Sequence, residues 1–302
     1  MQFSGKFGKL AIQVKREHGK TESQPKRSLH SVTCFLCSNF DLSVIIPAYN
    51  ESERLPPFLR RAVGFLEARK TSYEIIVVDD GSSDHTAQVV ESFAGPGSHI
   101  RLIRSAYNKG KGAAVRRGMQ AAHGHRQLFA DADGATPIEE LNGLEQALET
   151  GADVAIGSRS LASRSLHHTV YARWHRTVLG LVFNALVQRL GLDGIEDTQC
   201  GFKLFRQPVA RDLFSLATID GYGLDLELLY VAKRRGYHIV EVPVNWADQP
   251  GSKVHPLRDG ISMLRSLLEV RRRSTQGLYG VKRRPFPSLD PAVHHVHRSQ
   301  LQ

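Results

Sequence analysis

Asp131 and Asp133 stand two residues apart at the end of the short apolar run Leu128-Phe-Ala130. Such a run reads as a buried parallel strand, which puts both carboxylates where the strand opens into a loop. In open α/β sheets, ligands bind beyond the carboxyl ends of the strands. There an Asp-x-Asp pair offers hard oxygen ligands to a divalent cation, and through the cation a hold on a diphosphate. Taken alone the motif is short, and a solvated loop accounts for it as well.

Three other segments have the same shape. Asp41-Leu-Ser-Val-Ile-Ile-Pro-Ala-Tyr-Asn-Glu51 is an apolar strand that ends at Pro47 in a polar loop. Tyr73-Glu-Ile-Ile-Val-Val-Asp-Asp-Gly-Ser-Ser83 is a second, ending in the paired carboxylates Asp79 and Asp80 and a glycine turn. Ser83 or Asp84 is placed to cap the helix that follows. Tyr107-Asn-Lys-Gly-Lys-Gly-Ala-Ala114 is a Gly/Lys loop that opens another helix. Each reads singly as an ordinary strand-to-helix turn; four in order, each at a strand end, argue for one site. The Gly/Lys loop lacks the Gly-x-x-x-x-Gly-Lys-Ser/Thr spacing of a P-loop, which argues against an NTPase.

The elements that would position these residues alternate. Strands are expected near 42–47, 73–79, 100–104, 126–131 and 152–157, and helices near 53–70, 84–93, 110–123 and 137–149. This is the pattern of βαβ units, an α/β fold with a mostly parallel central sheet and helices on both faces. From about 160 the pattern turns helical, with apolar residues at helical spacing from Thr169 to Leu190. A strand near 238–244 and an amphipathic helix near 256–272 follow. The chain is therefore divided into an aperiodic basic arm (1–40), a body (41–275) with halves 41–160 and 161–275, and an aperiodic basic tail (276–302).

The order of these motifs resembles the nucleotide-sugar-binding half of family 2 glycosyltransferases with the Rossmann-like GT-A fold. The likeness continues through Ile156-Gly-Ser-Arg159, Asp197-Thr-Gln-Cys-Gly-Phe-Lys-Leu-Phe205, Asp225-Leu-Glu-Leu-Leu-Tyr230 and Val242-Pro-Val-Asn-Trp246 followed by Gly251-Ser-Lys253. It covers roughly residues 41 to 270 and is similar above all to the dolichyl-phosphate β-glucosyltransferase branch, near the polyprenyl-phosphate mannose synthases. The first strands and the Asp-x-Asp specify only the superfamily; the Asp197 and Trp246 segments are the specific part.

The resemblance implies an inverting transfer of glucose from UDP-glucose to a dolichyl or other polyprenyl phosphate. It implies Asp133, helped by Asp131, as ligands of Mg2+ or Mn2+, with Asp131 also at the ribose or diphosphate. Asp79 and Asp80 would accept hydrogen bonds from uracil or ribose, and Pro47, Ala48, Tyr49 and Glu51 would line the nucleoside pocket. Lys111 is either a donor-site cation or a solvated lysine. Mannose synthases often carry Gln two residues past the second Asp; Ala135 stands here, as in the glucosyl branch. A lipid monophosphate is already largely ionised near neutral pH and needs little help to attack, so cations should hold it. Arg159, Lys203 and Lys253 are the candidates, each also open to a surface ion pair. Gln199 and Trp246 are candidate sugar or lipid contacts, with core packing the other reading for Trp246. Asp225 orients the sugar or acts as a base, and the base role belongs to the alternatives: a hydroxyl acceptor, or GDP-mannose as donor. A non-catalytic nucleotide-sugar or membrane-surface binding protein is the reading of another class.

The chain has 302 residues and a formal charge of +10. Residues 1–40 hold 7 Lys+Arg against 2 Asp+Glu and residues 251–302 hold 10 against 3, so the ends carry +12 and the middle −2. A near-neutral body with basic ends is not the footprint of a nucleic-acid binder. It fits an anionic membrane surface, or simply soluble tails. No stretch of about 18 apolar residues predicts a transmembrane helix, and residues 1–40 lack the apolar core of a secretory signal. The membrane anchor usual at the N-terminus of the eukaryotic branch is not legible there either. The expected place is cytoplasmic, peripheral to the cytoplasmic face of a membrane. Two segments have an interfacial reading beside that of an ordinary packed helix: Trp174–Val187 flanked by Arg173, Arg176 and Arg189, and Ile261–Leu268 leading into Arg271–Arg273. Cys34 and Cys37 have Cys-x-x-Cys spacing with His30 nearby, but no second pair for a zinc site.

Overall fold

The computed structural model describes residues 40–95, 97–171, 185, 187–251 and 256–280. The chain divides into Met1–Cys37 and Ser38–Gln302, and all described residues lie in the second unit. Lys253, Trp174 and Cys34, Cys37 and His30 fall outside the described residues, as do most of 172–187 and the tail from 281.

The apolar runs form strands where expected: β1 (Leu42–Ala48), β2 (Tyr73–Asp79), β3 (Ile100–Arg104), β4 (Arg126–Ala130) and β5 (Val154–Ser158). Between them lie α1 (Leu55–Ala68), α2 (Thr86–Phe93), α3 (Lys111–Ala121) and α4 (Leu141–Glu149), with a single 3-10 turn at Ile138–Glu140. After the short α5 (Arg159–Ala162) and β6 (Val170–Tyr171) come β7 (Phe202–Arg206), α6 (Gln207–Leu216), α7 (Leu224–Arg235), β8 (Ile239–Pro243), β9 (Trp246–Ala247) and α8 (Pro256–Thr275).

Seven strands make one sheet in the order β3-β2-β1-β4-β7-β5-β8. All run parallel except β7, which is antiparallel to both its neighbours, β4 and β5. Side chains alternate between two cores, one per face. Ile45, Ile76, Phe129, Ile156 and Phe205 enter one; Val44, Ile75, Leu128, Ala155 and Leu204 enter the other. A sheet buried on both sides needs apolar residues at nearly every position, which is why these strands read as continuous apolar runs.

Chain order places the site. From β1 the chain passes outward to β2 and β3, then returns to add β4 on β1's other side. The crevice of such a sheet opens at this reversal, beyond the carboxyl ends of β1 and β4. Pairing of β1 with β4 stops at Ile45 and Phe129. Ala48 and Asp131 lie past that point, on diverging chains.

Two expectations change. β7 was not foreseen, because its fully buried Lys203 interrupts the apolar run. The start of the predicted helix at Thr169 is instead strand β6, which pairs with β9 in a separate two-stranded sheet. α8 does follow the amphipathic pattern, with Leu267 and Val270 buried and Ile261 and Leu268 exposed.

Candidate active site

The ends of β2 and β3 form a pocket of about 400 Å3 lined by Asp79, Gly81, Ser82, Arg104, Ser105 and Ala106. Asp79 is 1% exposed. Its Oδ1 accepts the Ser82 N–H at 3.0 Å, while its Oδ2 is buried without a hydrogen-bond partner. The Nε of Arg104 is 3.7 Å from that oxygen. A buried acceptor left unpaired is costly, and a ligand N–H would satisfy it. Gly81 makes the turn: it has φ +73°, and a Cβ there would stand 2.5 Å from the Tyr107 carbonyl carbon.

Asp80, one residue on, points elsewhere. Its carboxylate accepts the backbone N–H groups of Lys109, at 3.1 Å, and Gly110, at 2.7 Å. Burial raises its pKa despite those bonds. Asp80 therefore holds the Gly/Lys loop in place, a role its neighbourhood in sequence does not reveal. The amide of Ala113, in the first turn of α3, is taken by the Asp220 carbonyl at 3.1 Å. The helix terminus is thus already capped by protein.

Glu51 is buried and forked onto Arg54, with Nε to Oε2 at 2.7 Å and Nη2 to Oε1 at 2.6 Å. This aims Arg54 at the Asp-x-Asp loop, its Nη1 lying 3.6 Å from Asp133 Oδ2. Pro47 and Ala48 close the end of β1, Ala48 lying in register with Asp79, and Tyr49 is 38% exposed. Of these, only Asp79 lines the pocket itself. Arg54 was not foreseen; its one signal in sequence is its i+3 spacing from Glu51.

Asp131 meets Lys111, with Nζ to Oδ1 at 2.7 Å. Burial opposes the charge on Lys111, but Asp131 and Asp225 outweigh it and raise its pKa. Lys111 is accordingly a fixed cation of the site. Asp133 accepts the Ala135 N–H at 3.1 Å. Burial first, and the charge of Asp131 second, raise its pKa. Two carboxylates this close together suit a divalent cation. Among the described residues no cluster of three or more His, Cys, Asp or Glu side chains forms a cage. The Asp131/Asp133 pair would give a divalent cation one or two carboxylates, with substrate phosphate oxygens completing its shell.

β7 brings up the far wall. Asp131 N–H donates to the Gly201 carbonyl at 3.0 Å, and a Cβ on Gly201 would lie 1.9 Å from Asp131 Oδ2. Lys203 is fully buried; its Nζ donates to the Cys200 carbonyl at 2.6 Å and is ion-paired with Asp225, on the first turn of α7. Its burial keeps it from an acceptor phosphate, contrary to the expectation for it. It neutralises and orients Asp225 instead.

Arg159 opens α5, directly after β5. Its Nε and Nη2 bind Asp197 at 2.7 and 2.8 Å, and its Cζ lies 5.3 Å from the Trp246 ring centre. The pair with Asp197 raises the Arg159 pKa against the effect of burial. Ala247, beside Trp246, donates to the Ala135 carbonyl at 3.0 Å, so this wall is tied to the Asp-x-Asp loop. Gln199 is half-buried on the same loop as Asp197, its backbone N–H donating to Asp197 Oδ1 at 3.2 Å.

The arrangement has an open pocket at the ends of β2 and β3, a carboxylate pair with two flanking cations, and an arginine beside an indole face. The glycosyl transferase family 2 model matches residues 43–214. The dolichyl-phosphate beta-glucosyltransferase of Dictyostelium discoideum is 40% identical over 256 residues, covering 81% of this chain and 78% of the relative. The human protein of the same name is 38% identical over 252 residues, covering 79% and 77%. Among solved structures, glucosyl-3-phosphoglycerate synthase from Mycobacterium tuberculosis with UDP superposes with a TM-score of 0.58 at 22% identity, covering 77% of this chain and 80% of that one. Its complex with Mn2+, UDP and glucosyl-3-phosphoglycerate gives 0.57 at 21%, with the same coverage. These structures share the fold, and the family model and the sequence relatives cover most of the body: the chain belongs to glycosyl transferase family 2.

Proposed function

We propose that this glycosyltransferase moves glucose from UDP-glucose to the phosphate of a dolichyl or related polyprenyl phosphate. The observation that carries the reading is the state of Asp225. A hydroxyl acceptor requires a general base, and the acidic residue best placed for that role is buried in an ion pair with Lys203. Taking a proton would break that pair. A phosphate monoester arrives ionised and needs no base, and the relatives' name agrees with such an acceptor.

The donor reading rests on Asp79. With Oδ1 spent on Ser82, one acceptor oxygen remains, with the cation of Arg104 beside it. Uracil offers one ring N–H flanked by carbonyl oxygens, which suits one acceptor next to one donor. Guanine offers adjacent ring and amino N–H donors, which would call for both carboxylate oxygens. Lys111 and Arg54 would flank the diphosphate, and Asp131 and Asp133 would hold a divalent cation; the mycobacterial synthase of the same fold is known in complex with Mn2+ and UDP. When bound, that ion offsets the negative charge that builds on the departing diphosphate. Arg159 holds the acceptor phosphate for in-line attack on the sugar carbon, with inversion, while Trp246 gives a flat wall to glucose or lipid.

The lipid acceptor calls for contact with a membrane. Among the described residues no helix is long and apolar enough to cross one. On α8, Ile261, Arg265, Leu268 and Arg272 recur at helical spacing on the outer face, and Ile261 and Leu268 are more than half exposed. That stripe, beside exposed Arg271, is the proposed contact with anionic lipid.

Offering the enzyme a short polyprenyl phosphate and the matching polyprenol, each with UDP-glucose and Mg2+, tests the acceptor class. Glucosylation of the phosphate alone is expected; Asp225-dependent glucosylation of the alcohol would contradict it.

A further inference from the structure

We infer that Glu241 is a positioning residue for the acceptor phosphate, acting through Asp197 on Arg159. This rests on the reading of Arg159 as the ligand of that phosphate.

Glu241 lies on β8, paired with Ile156, three residues before Arg159. Its two carboxylate oxygens take two successive backbone N–H groups: Oε2 accepts from Glu196 at 2.7 Å and Oε1 from Asp197 at 2.9 Å. A carboxylate seated across two consecutive amides fixes the direction of that stretch of chain. The stretch has no regular structure of its own, since it precedes β7 as a loop. The next link is Asp197, which is 6% exposed. Its Oδ2 accepts the Arg159 backbone N–H at 2.9 Å and Nε at 2.7 Å, and its Oδ1 accepts Nη2 at 2.8 Å.

This two-point fork decides which edge of the guanidinium remains for a ligand. Asp197 occupies the Nε/Nη2 edge. The Nη1/Nη2 edge carries no bond to Asp197, and it is the second of the two edges that can grip a phosphate with parallel N–H bonds. The indole of Trp246 fixes the plane of the group from one side. The direction of the free edge is then set by Asp197, and that of Asp197 by Glu241. Nothing in the bond set of Glu241 reaches the donor pocket, so its effect should fall on the acceptor alone.

Kinetics of the full chain with UDP-glucose, Mg2+ and a short polyprenyl phosphate test this. Glu241→Gln keeps the size of the side chain but sets an amide NH2 against one of the two backbone donors. It is expected to raise the acceptor KM about tenfold, with a smaller change in kcat and unchanged UDP affinity. In an Arg159→Lys background, where no fork exists, the same substitution should change the acceptor KM less than about twofold. An unchanged acceptor KM in a variant that still binds UDP, or a full tenfold effect with Lys at 159, overturns the proposal. If Glu241→Gln loses UDP binding, Asp197→Asn carries the test: it must raise the acceptor KM with UDP affinity intact, and a normal KM overturns the chain of contacts. If Arg159→Lys alone leaves the acceptor KM as in the wild type, the phosphate role of Arg159 fails, and the role of Glu241 falls with it.

Discussion

Adjacent acidic residues do different work here. Asp79 turns an unpaired oxygen into a pocket, whereas Asp80 folds the Gly/Lys loop. Strand alternation separates them, and sequence alone ranks them equally. The same holds for Asp131, which meets Lys111, and Asp133, which stands near Arg54. Because burial and Asp131 raise the Asp133 pKa, its ionised form weakens the fold while serving the site. Asp133→Asn is therefore expected to lower transfer by more than about 100-fold and to raise the melting temperature near neutral pH. The sign follows from linkage. A raised carboxyl pKa favours the fold below the unfolded value of about 3.9, and that favour is lost as pH rises through the folded value. The gap in melting temperature between variant and wild type should thus close as pH falls towards 4. A variant less stable than wild type at pH 7 would remove the desolvation argument.

At the scale of elements, β7 makes the site possible. It is the single antiparallel strand of the sheet, and it sets Gly201 against Asp131 and Lys203 against Asp225. The parallel strands were legible because both their faces are buried and their apolar runs are unbroken. β7 was not, because Lys203 stands where an apolar residue belongs; the ion pair that excuses it comes from α7, 22 residues further along. Arg104 was illegible for a similar reason: only the side-by-side placement of β2 and β3 brings it to Asp79. The order of motifs did give away the strand ends; the reversal between β1 and β4 emerges only from the pairing of the strands. A direct check of β7's part is Gly201→Ala. The added methyl would overlap Asp131, so transfer should fall about 100-fold, while uridine affinity, set in the Asp79 pocket, stays within a few-fold. Wild-type turnover in that variant would mean that Asp131 is free to move without consequence.

At the scale of the molecule, the proposed reaction joins a water-soluble donor to a lipid. The proposed donor site lies at the carboxylates, and the outer stripe of α8 offers aliphatic side chains and arginines on the side away from α7. The inner side of α8 is anchored firmly: Tyr279, just beyond it, donates its hydroxyl to buried Glu227 at 2.9 Å. Glu227 in turn accepts the Thr218 and Ile219 amides, in the loop that reaches the start of α3. Placing a charge on the outer stripe with Leu268→Glu should weaken binding to anionic vesicles roughly tenfold and leave transfer in detergent near wild type. Sedimentation with vesicles measures the first and a detergent assay the second; unchanged sedimentation would move the membrane contact elsewhere.

The central claim is the pairing of a uridine donor with a lipid phosphate. It is tested most directly by giving the purified chain a short polyprenyl phosphate with UDP-glucose and, separately, GDP-mannose, each with Mg2+, and identifying the lipid product. Glucosyl phospholipid from UDP-glucose, with little or none of the mannosyl product from GDP-mannose, is the predicted result. Mannosyl phospholipid formed in preference, or no lipid product from either donor by protein that binds UDP, would contradict it.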